Sequence, residues 1–120
     1  MTKEKLVLLV EDDEAIAELI KEYISEDGIK IDYANNGNEA LKKISAKKYD
    51  VIISDNTLPD VDGTKVIEEG LKKDKDTITV IMTGSEDPAV KEKAMKAGAK
   101  HYVVKDTAIT FMQKLKDIIK

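Results

Sequence analysis

Cysteine is absent from the 120 residues, and histidine occurs once, at His101. The first absence excludes a disulfide framework and a thiolate metal site. The second leaves a zinc centre without its usual ligands, so any metal must be a hard, oxygen-seeking one. There is no excess of basic charge either. Twenty Lys+Arg against twenty-four Asp+Glu give a net charge of −4. Nucleic acid and anionic lipid therefore find no general electrostatic attraction, and a DNA-binding role within this chain is not expected. Long apolar runs are also missing. Leu6-Val-Leu-Leu-Val10 is too short for a signal peptide or a membrane span and continues straight into acidic residues, so a soluble cytoplasmic protein is expected. No stretch rich in Pro, Gly or Ser is long enough to link two domains, and the length suits one core, so residues 1–120 read as a single domain.

The chain instead alternates short apolar runs with segments of helical period. Leu6 to Val10, Val51 to Ile53, Ile78 to Met82 and Tyr102 to Val104 have the pattern of strands covered on both faces. Ile29-Lys-Ile-Asp-Tyr33 alternates apolar and polar residues, as a strand near a sheet edge does. Ile16, Leu19, Ile20, Tyr23 and Ile24, and later Met112, Leu115, Ile118 and Ile119, form stripes expected to pack on the sheet. Asp87 ahead of Pro88 suits a helix start, and Gly28 and Gly98 suit helix ends. Five strand-then-helix units predict parallel strands in a three-layer α/β sandwich.

Ligands in such sheets sit beyond the carboxyl ends of the strands, so the residues that follow each apolar run come first. Glu11-Asp12-Asp13 follow the first run, Asp55 the third, Thr83-Gly84 the fourth and Lys105 the fifth. Parallel strands bring these ends to one edge. Clustered carboxylates repel, and are comfortable in ionised form only around a cation. Mg²⁺ is the natural choice, because it takes oxygen ligands and is commonly held by one or two carboxylates plus phosphate oxygens. Lys105 adds a fixed positive charge, the Thr83 hydroxyl can donate a hydrogen bond, and Gly84 leaves room for an incoming group. Together they describe a phosphoryl site with a carboxylate nucleophile, where catalysis is by positioning and charge neutralisation.

Val10-Glu-Asp-Asp13, Ser54-Asp-Asn-Thr-Leu-Pro-Asp-Val-Asp-Gly63, Met82-Thr-Gly84 and Ala97-Gly-Ala-Lys-His-Tyr-Val-Val-Lys105 resemble, in order and spacing, the landmarks of the response-regulator receiver family, including its chemotaxis members. The resemblance covers essentially the whole chain. It implies a flavodoxin-like (βα)5 fold with a five-stranded parallel sheet in the order 2-1-3-4-5. It also implies a phosphoacceptor signalling switch of a two-component system rather than an enzyme, though one that assists its own phosphorylation and dephosphorylation. Carried over by position, Asp55 would be the phosphoacceptor and Asp12 a direct Mg²⁺ ligand. Glu11 would act on the ion from behind its direct ligands or through a water, and Thr57 would offer its backbone carbonyl. Lys105 would pair with the phosphoryl oxygens and Thr83 would hydrogen-bond them, while Tyr102 matches the aromatic that changes rotamer as the threonine moves. The implied donor is a sensor histidine kinase or a histidine phosphotransfer protein. The output would run through a downstream protein target, or through an output domain of a longer regulator. One departure concerns the lysine, which many receivers follow with a cis proline. Here Asp106 follows Lys105, and a cis bond without proline costs about 2.5–4 kcal/mol. Asp106 or Thr107 can instead cap the last helix.

Plainer roles exist for each residue taken alone. The acidic triplet suits a helix N-terminus, Thr83 a cap, Lys105 and His101 the surface, and Tyr102 the core. It is the convergence that favours function. The fourth helix has only a thin apolar stripe of Val90, Ala94 and Ala97, so loose packing is expected there. Asn56 and Ser85 flank the site and can tune phosphoryl lifetime. Three other functions share parts of this pattern. A Mg²⁺-dependent phosphohydrolase of the haloacid-dehalogenase type carries a general-acid Asp two residues after its nucleophile, where this chain has Thr57. A flavin binder needs a phosphate cradle after the first strand, where Glu11-Asp12-Asp13 would repel the anion. A receiver-like binding module that works without phosphorylation would not need the full acceptor set, of which no member is missing.

Overall fold

The structure, a computed structural model, describes residues 4–120. Ten elements alternate along the chain: β1 (Lys5–Val10), α1 (Glu14–Ile24), β2 (Ile29–Ala34), α2 (Gly37–Ala46), β3 (Val51–Asp55), α3 (Gly63–Lys73), β4 (Ile78–Thr83), α4 (Pro88–Lys96), β5 (His101–Val104) and α5 (Ala108–Ile119). The strands form one parallel sheet in the order β2-β1-β3-β4-β5, as expected. Alternation of side chains along each strand divides the core in two. Val7, Leu9, Val51, Ile53, Val80 and Met82 face α1 and α5, while Leu8, Val10, Ile52 and Ile81 face α2, α3 and α4. The central strands are buried on both faces, which is why they read as unbroken apolar runs.

The element ends follow local chemistry. Asp87 accepts from the Ala89 N–H at 2.9 Å with Pro88 at the first helical position. Gly98 closes α4 with φ +108°, its N–H reaching the Met95 carbonyl while the Ala99 N–H reaches that of Ala94, the paired bonds of a left-handed helix stop. Gly28 plays a different part from the expected helix end. α1 stops at Ile24, and Gly28, with φ +87°, turns the chain into β2. Thr107 holds the cap position of α5 without a side-chain cap bond; its hydroxyl bonds that of Thr110 at 2.7 Å instead.

Burial departs from the sequence pattern in two places. β5 lies at a sheet edge, and of its residues only Val103 is fully buried, because among the described residues no strand lies beyond it. Leu19 belongs to the α1 stripe but is 52% exposed, since the stripe is wider than the contact with the sheet. The thin stripe of α4 is as expected, with Ala94 its one buried residue.

Candidate acceptor site

Register delivers the site. Val10 lies opposite Ser54 and Asp55 opposite Met82, so Glu11 emerges beside Asp55 at the carboxyl edge of the two central strands. Thr83 pairs with Val104, which puts Lys105 one step beyond the end of β4. β3 runs two residues and β4 one residue further than their apolar runs, so Asp55 and Thr83 are the last residues of strands rather than the first of loops. Their backbones are therefore held by the sheet, a more rigid mount than a loop provides.

The acidic triplet divides its labour. Asp13 is the cap of α1, accepting from the N–H groups of Ala15 and Ile16 at 3.0 and 3.1 Å. Glu11 is 1% exposed, and its oxygen and those of exposed Asp12 and buried Asp55 lie within 4.8 Å of one another. Lys105 Nζ donates to Glu11 Oε1 at 2.6 Å and forms an ion pair with Asp55. Thr83 is nearly buried, and its hydroxyl oxygen accepts from the Ser85 N–H at 3.1 Å. Thr57 is exposed and pairs its backbone with Asp62 in an isolated bridge. Gly84 is exposed, and a methyl group there would meet nothing within 4 Å, so the room expected beside it is open surface.

Burial, and then hydrogen bonding with the Glu11 carboxyl, push the Asp55 carboxyl up to about 8, against the opposing pull of Lys105. Glu11 is raised by burial too, but hydrogen bonds with Asp55, Lys105 and the Asp13 N–H outweigh it and hold its carboxyl below the ordinary range. Burial would lower Lys105, yet its pairing with Asp55 and Glu11 raises it, so it stays charged. One ammonium thus faces two buried carboxylates, with a third at the rim. That donor set is all oxygen and short of positive charge, which fits a hard divalent cation.

The Lys105–Asp106 peptide is trans, as are all described peptide bonds. Lys105 is placed without a proline by its own backbone, whose N–H donates to the Thr83 carbonyl at 2.7 Å.

A family model, the response regulator receiver domain, matches residues 7–118. The chain belongs to the response-regulator receiver family. Among relatives of this receiver domain, the transcriptional regulatory protein ResD of Bacillus subtilis is 32% identical over 87% of the chain, which spans only 43% of that protein. The chemotaxis protein CheY of Thermotoga maritima is also 32% identical, over 84% of this chain and 85% of its own length. A chemotaxis response regulator of Vibrio cholerae has the same fold with a TM-score of 0.84 and 26% identity, covering 97% of this chain and 99% of that one. A response regulator of Burkholderia pseudomallei matches with a TM-score of 0.85 and 25% identity, over 98% of this chain and 67% of its own. That structure holds a phosphorylated aspartic acid, a calcium ion and citrate. Receiver domains are phosphoacceptor switches of two-component systems, generally not enzymes. They bind a divalent metal at an acidic pocket and act between histidine kinases and downstream targets.

Two contacts of this receiver domain go beyond the residues expected at the site. The Tyr33 hydroxyl donates to the Glu11 carbonyl at 2.7 Å, steadying the backbone of the acidic strand end from β2. A Cβ on Gly63 would collide with the Asp55 carbonyl, so the start of α3 sits directly against the central carboxylate's backbone. The landmark Asp-Gly at 62–63 was the available hint for the second. The first depends on register between β1 and β2, which no local pattern carries.

Proposed function

We propose that Asp55 is the residue of this receiver domain that accepts the phosphoryl group, from a sensor histidine kinase or a histidine phosphotransfer protein. Residues 1–120 act as one receiver unit in the cytoplasm, and Mg²⁺ is the resident ion, held by Asp12, Asp55 and the Thr57 carbonyl with Glu11 behind them. The observation that carries this reading is the meeting of Asp55, Glu11 and Asp12 with Lys105 at the strand ends. The ion, when bound, supplies charge neutralisation for phosphoryl oxygens.

A carboxylate oxygen of Asp55 attacks phosphorus, the bond to the donor's nitrogen or oxygen breaks, and the electron pair leaves with the donor. Lys105 exchanges part of its contact with Asp55 for a phosphoryl oxygen and stabilises the charge that develops. Glu11, held below the ordinary carboxylate range by its hydrogen bonds, is a poor proton donor to a leaving group, which suits acceptance of a labile phosphoryl over general hydrolysis of stable esters. Reversal by water, assisted by the same residues, returns the domain to its resting form. Asn56 and Ser85, which follow the ends of β3 and β4, tune how long the phosphoryl group persists.

Thr83 and Tyr102 bracket Ser85: its N–H donates to the Thr83 hydroxyl at 3.1 Å, and its carbonyl accepts from the Tyr102 hydroxyl at 2.7 Å. Turning Thr83 toward a phosphoryl oxygen removes one of these bonds, displaces residues 84–87 and releases Tyr102. The altered face around β4, α4, β5 and α5 then changes its preference for a protein target or for the output part of a longer regulator. No direct contact with nucleic acid or membrane is part of this reading. Among the described residues, no helix is long and apolar enough to cross a membrane.

Incubation with acetyl phosphate and Mg²⁺, followed by intact mass measurement, tests the assignment. A hydroxylamine-sensitive phosphoryl adduct is expected on the parent protein and not on Asp55→Asn. No adduct on the parent, or an equal one on the variant, refutes it.

A further inference from the structure

The loop that follows the acceptor strand, residues 56–62, is tied down on two sides by different means. On the β4 side the ties are backbone. The Asn56 N–H donates to the Met82 carbonyl at 2.8 Å, and the Gly63 N–H closes the loop onto the Asn56 carbonyl at 2.9 Å. On the α2 side the tie is one carboxylate. Asp60 is exposed, yet Oδ1 accepts from the Gly37 N–H at 2.8 Å and from the Val61 N–H at 2.9 Å, while Oδ2 accepts from the Asn38 N–H at 2.8 Å. Gly37 and Asn38 are the first residues of α2. That helix already has its own cap, because the Asn36 side chain accepts from the Glu39 N–H at 2.8 Å. Asp60 takes the two amides that Asn36 leaves open.

The fit beside these bonds is close. A Cβ built on Gly37 would collide with a methyl group of Val61 and stand 3.0 Å from Asp60 Oδ1. The helix is held independently, by buried Ala40 and Ile44. The loop has less to hold it: Leu58 is buried and Val61 half-buried, whereas Thr57, Pro59, Asp60 and Asp62 are exposed, and the one side-chain tie to α4, Lys93 to Asp62 at 3.2 Å, is a surface ion pair of small worth. Losing the contact therefore frees the loop far more than the helix. Asp60 lies three residues after Thr57, whose carbonyl is assigned to the ion under the function proposed above.

We propose that Asp60 is a positioning residue for the acceptor site: clamped on the first turn of α2, it fixes the loop that carries Thr57 and thereby sets the affinity for the divalent cation. This rests on the assignment of Asp55 and Thr57 to that site. Groups that orient metal ligands from outside typically cost about 10–100-fold in affinity when removed. A clamp made of charge-assisted bonds to backbone amides belongs with them.

The test is Mg²⁺ affinity by isothermal titration calorimetry on the whole chain, with urea unfolding of each variant alongside. Asp60→Ala is expected to weaken Mg²⁺ about tenfold. Asp60→Asn, which keeps one acceptor oxygen, is expected to fall between it and the parent, and carries the test if the alanine variant does not fold. Gly37→Ala attacks the clamp from the other side and is expected to weaken Mg²⁺ similarly. Adding Val61→Ala removes the colliding methyl and is expected to restore most of that affinity. A lower urea midpoint with parental Mg²⁺ affinity in Asp60→Ala or Asp60→Asn would mean a merely structural cap and overturns the proposal. So does a double variant that binds no better than Gly37→Ala. Asp55→Asn is the reference that separates the two levels of inference. If it binds Mg²⁺ like the parent, the site assignment itself fails. If it loses Mg²⁺ while the Asp60 variants do not, only the clamp fails.

Discussion

Replacing Asp55 by asparagine is expected to stabilise the fold in the presence of a chelator, although it removes one partner of an ion pair. Asn has nearly the same shape, so packing is kept, and Lys105 retains Glu11 at 2.6 Å. What disappears is the burden of a carboxyl that is 6% exposed and pushed up to about 8 by burial and by Glu11. In the unfolded chain the same group titrates near 3.9. The folded state thus binds the extra proton between roughly pH 4 and pH 8, and stability contributed by this group falls as pH rises through that window, levelling off above it. At pH 7 the cost is about 1.4 kcal/mol for each of some three pH units, on the order of 4 kcal/mol as a ceiling. The pull of Lys105 is already contained in that position, and relaxation of the site around a buried charge lowers the ceiling, leaving an expected net gain of about 1–3 kcal/mol. Urea unfolding followed by circular dichroism, in EDTA at pH 5.5, 7 and 8, measures it. The variant should be the more stable at pH 7 and 8, with the difference shrinking toward pH 5.5. Saturating Mg²⁺ should then close the gap, since an ion at a hundred times its Kd adds about 2.7 kcal/mol to the parent and nothing to the variant. Equal or lower stability of Asp55→Asn at pH 8 in EDTA would refute the electrostatic account of the site.

The opposite sign is expected for Lys105→Ala, which strands two buried carboxylates and should cost about 3 kcal/mol in EDTA, with a larger share recovered on adding Mg²⁺ than in the parent; calorimetric or urea data with and without the ion check it. Gly63→Ala drives a methyl into the Asp55 carbonyl and should cost about 1–3 kcal/mol by overpacking, with slower acetyl-phosphate labelling, whereas Gly84→Ala, where nothing lies within 4 Å, should leave stability unchanged. Amide exchange should be faster in α4, which buries only Ala94, than in α1, which buries Ala17, Ile20 and Ile24; equal protection by mass spectrometry would contradict this.

Much of this molecule is written locally. The central strands announce themselves because burial on both faces leaves no room for polar residues in Leu6 to Val10 or Val51 to Ile53, and Asp87-Pro88 and Gly98 mark the limits of α4 by their backbone preferences. The convergence of Glu11, Asp12, Asp55, Thr83 and Lys105 was readable because parallel strands share an edge. Other features depend on neighbours that a pattern does not name. The apolar triplet Tyr102 to Val104 looks like a central strand, yet β5 is an edge, a matter of strand order alone. Asp12 and Asp13 are indistinguishable in sequence, and only the turn into α1 makes one a rim carboxylate and the other a cap. Asp60 lay within a landmark segment, but its partners are 23 and 22 residues upstream, beyond any local rule.

The strand order also fixes when the site can come into being. Glu11 and Asp55 belong to the neighbouring strands β1 and β3, whereas the ammonium that faces them follows the edge strand β5, half a chain later. A growing chain on the ribosome therefore exposes both carboxylates well before the lysine that balances them has been made. Until β5 docks beside β4, the two acids lack the cation that this chain supplies, so the charge balance of the central strand ends depends on the edge strand that is made last.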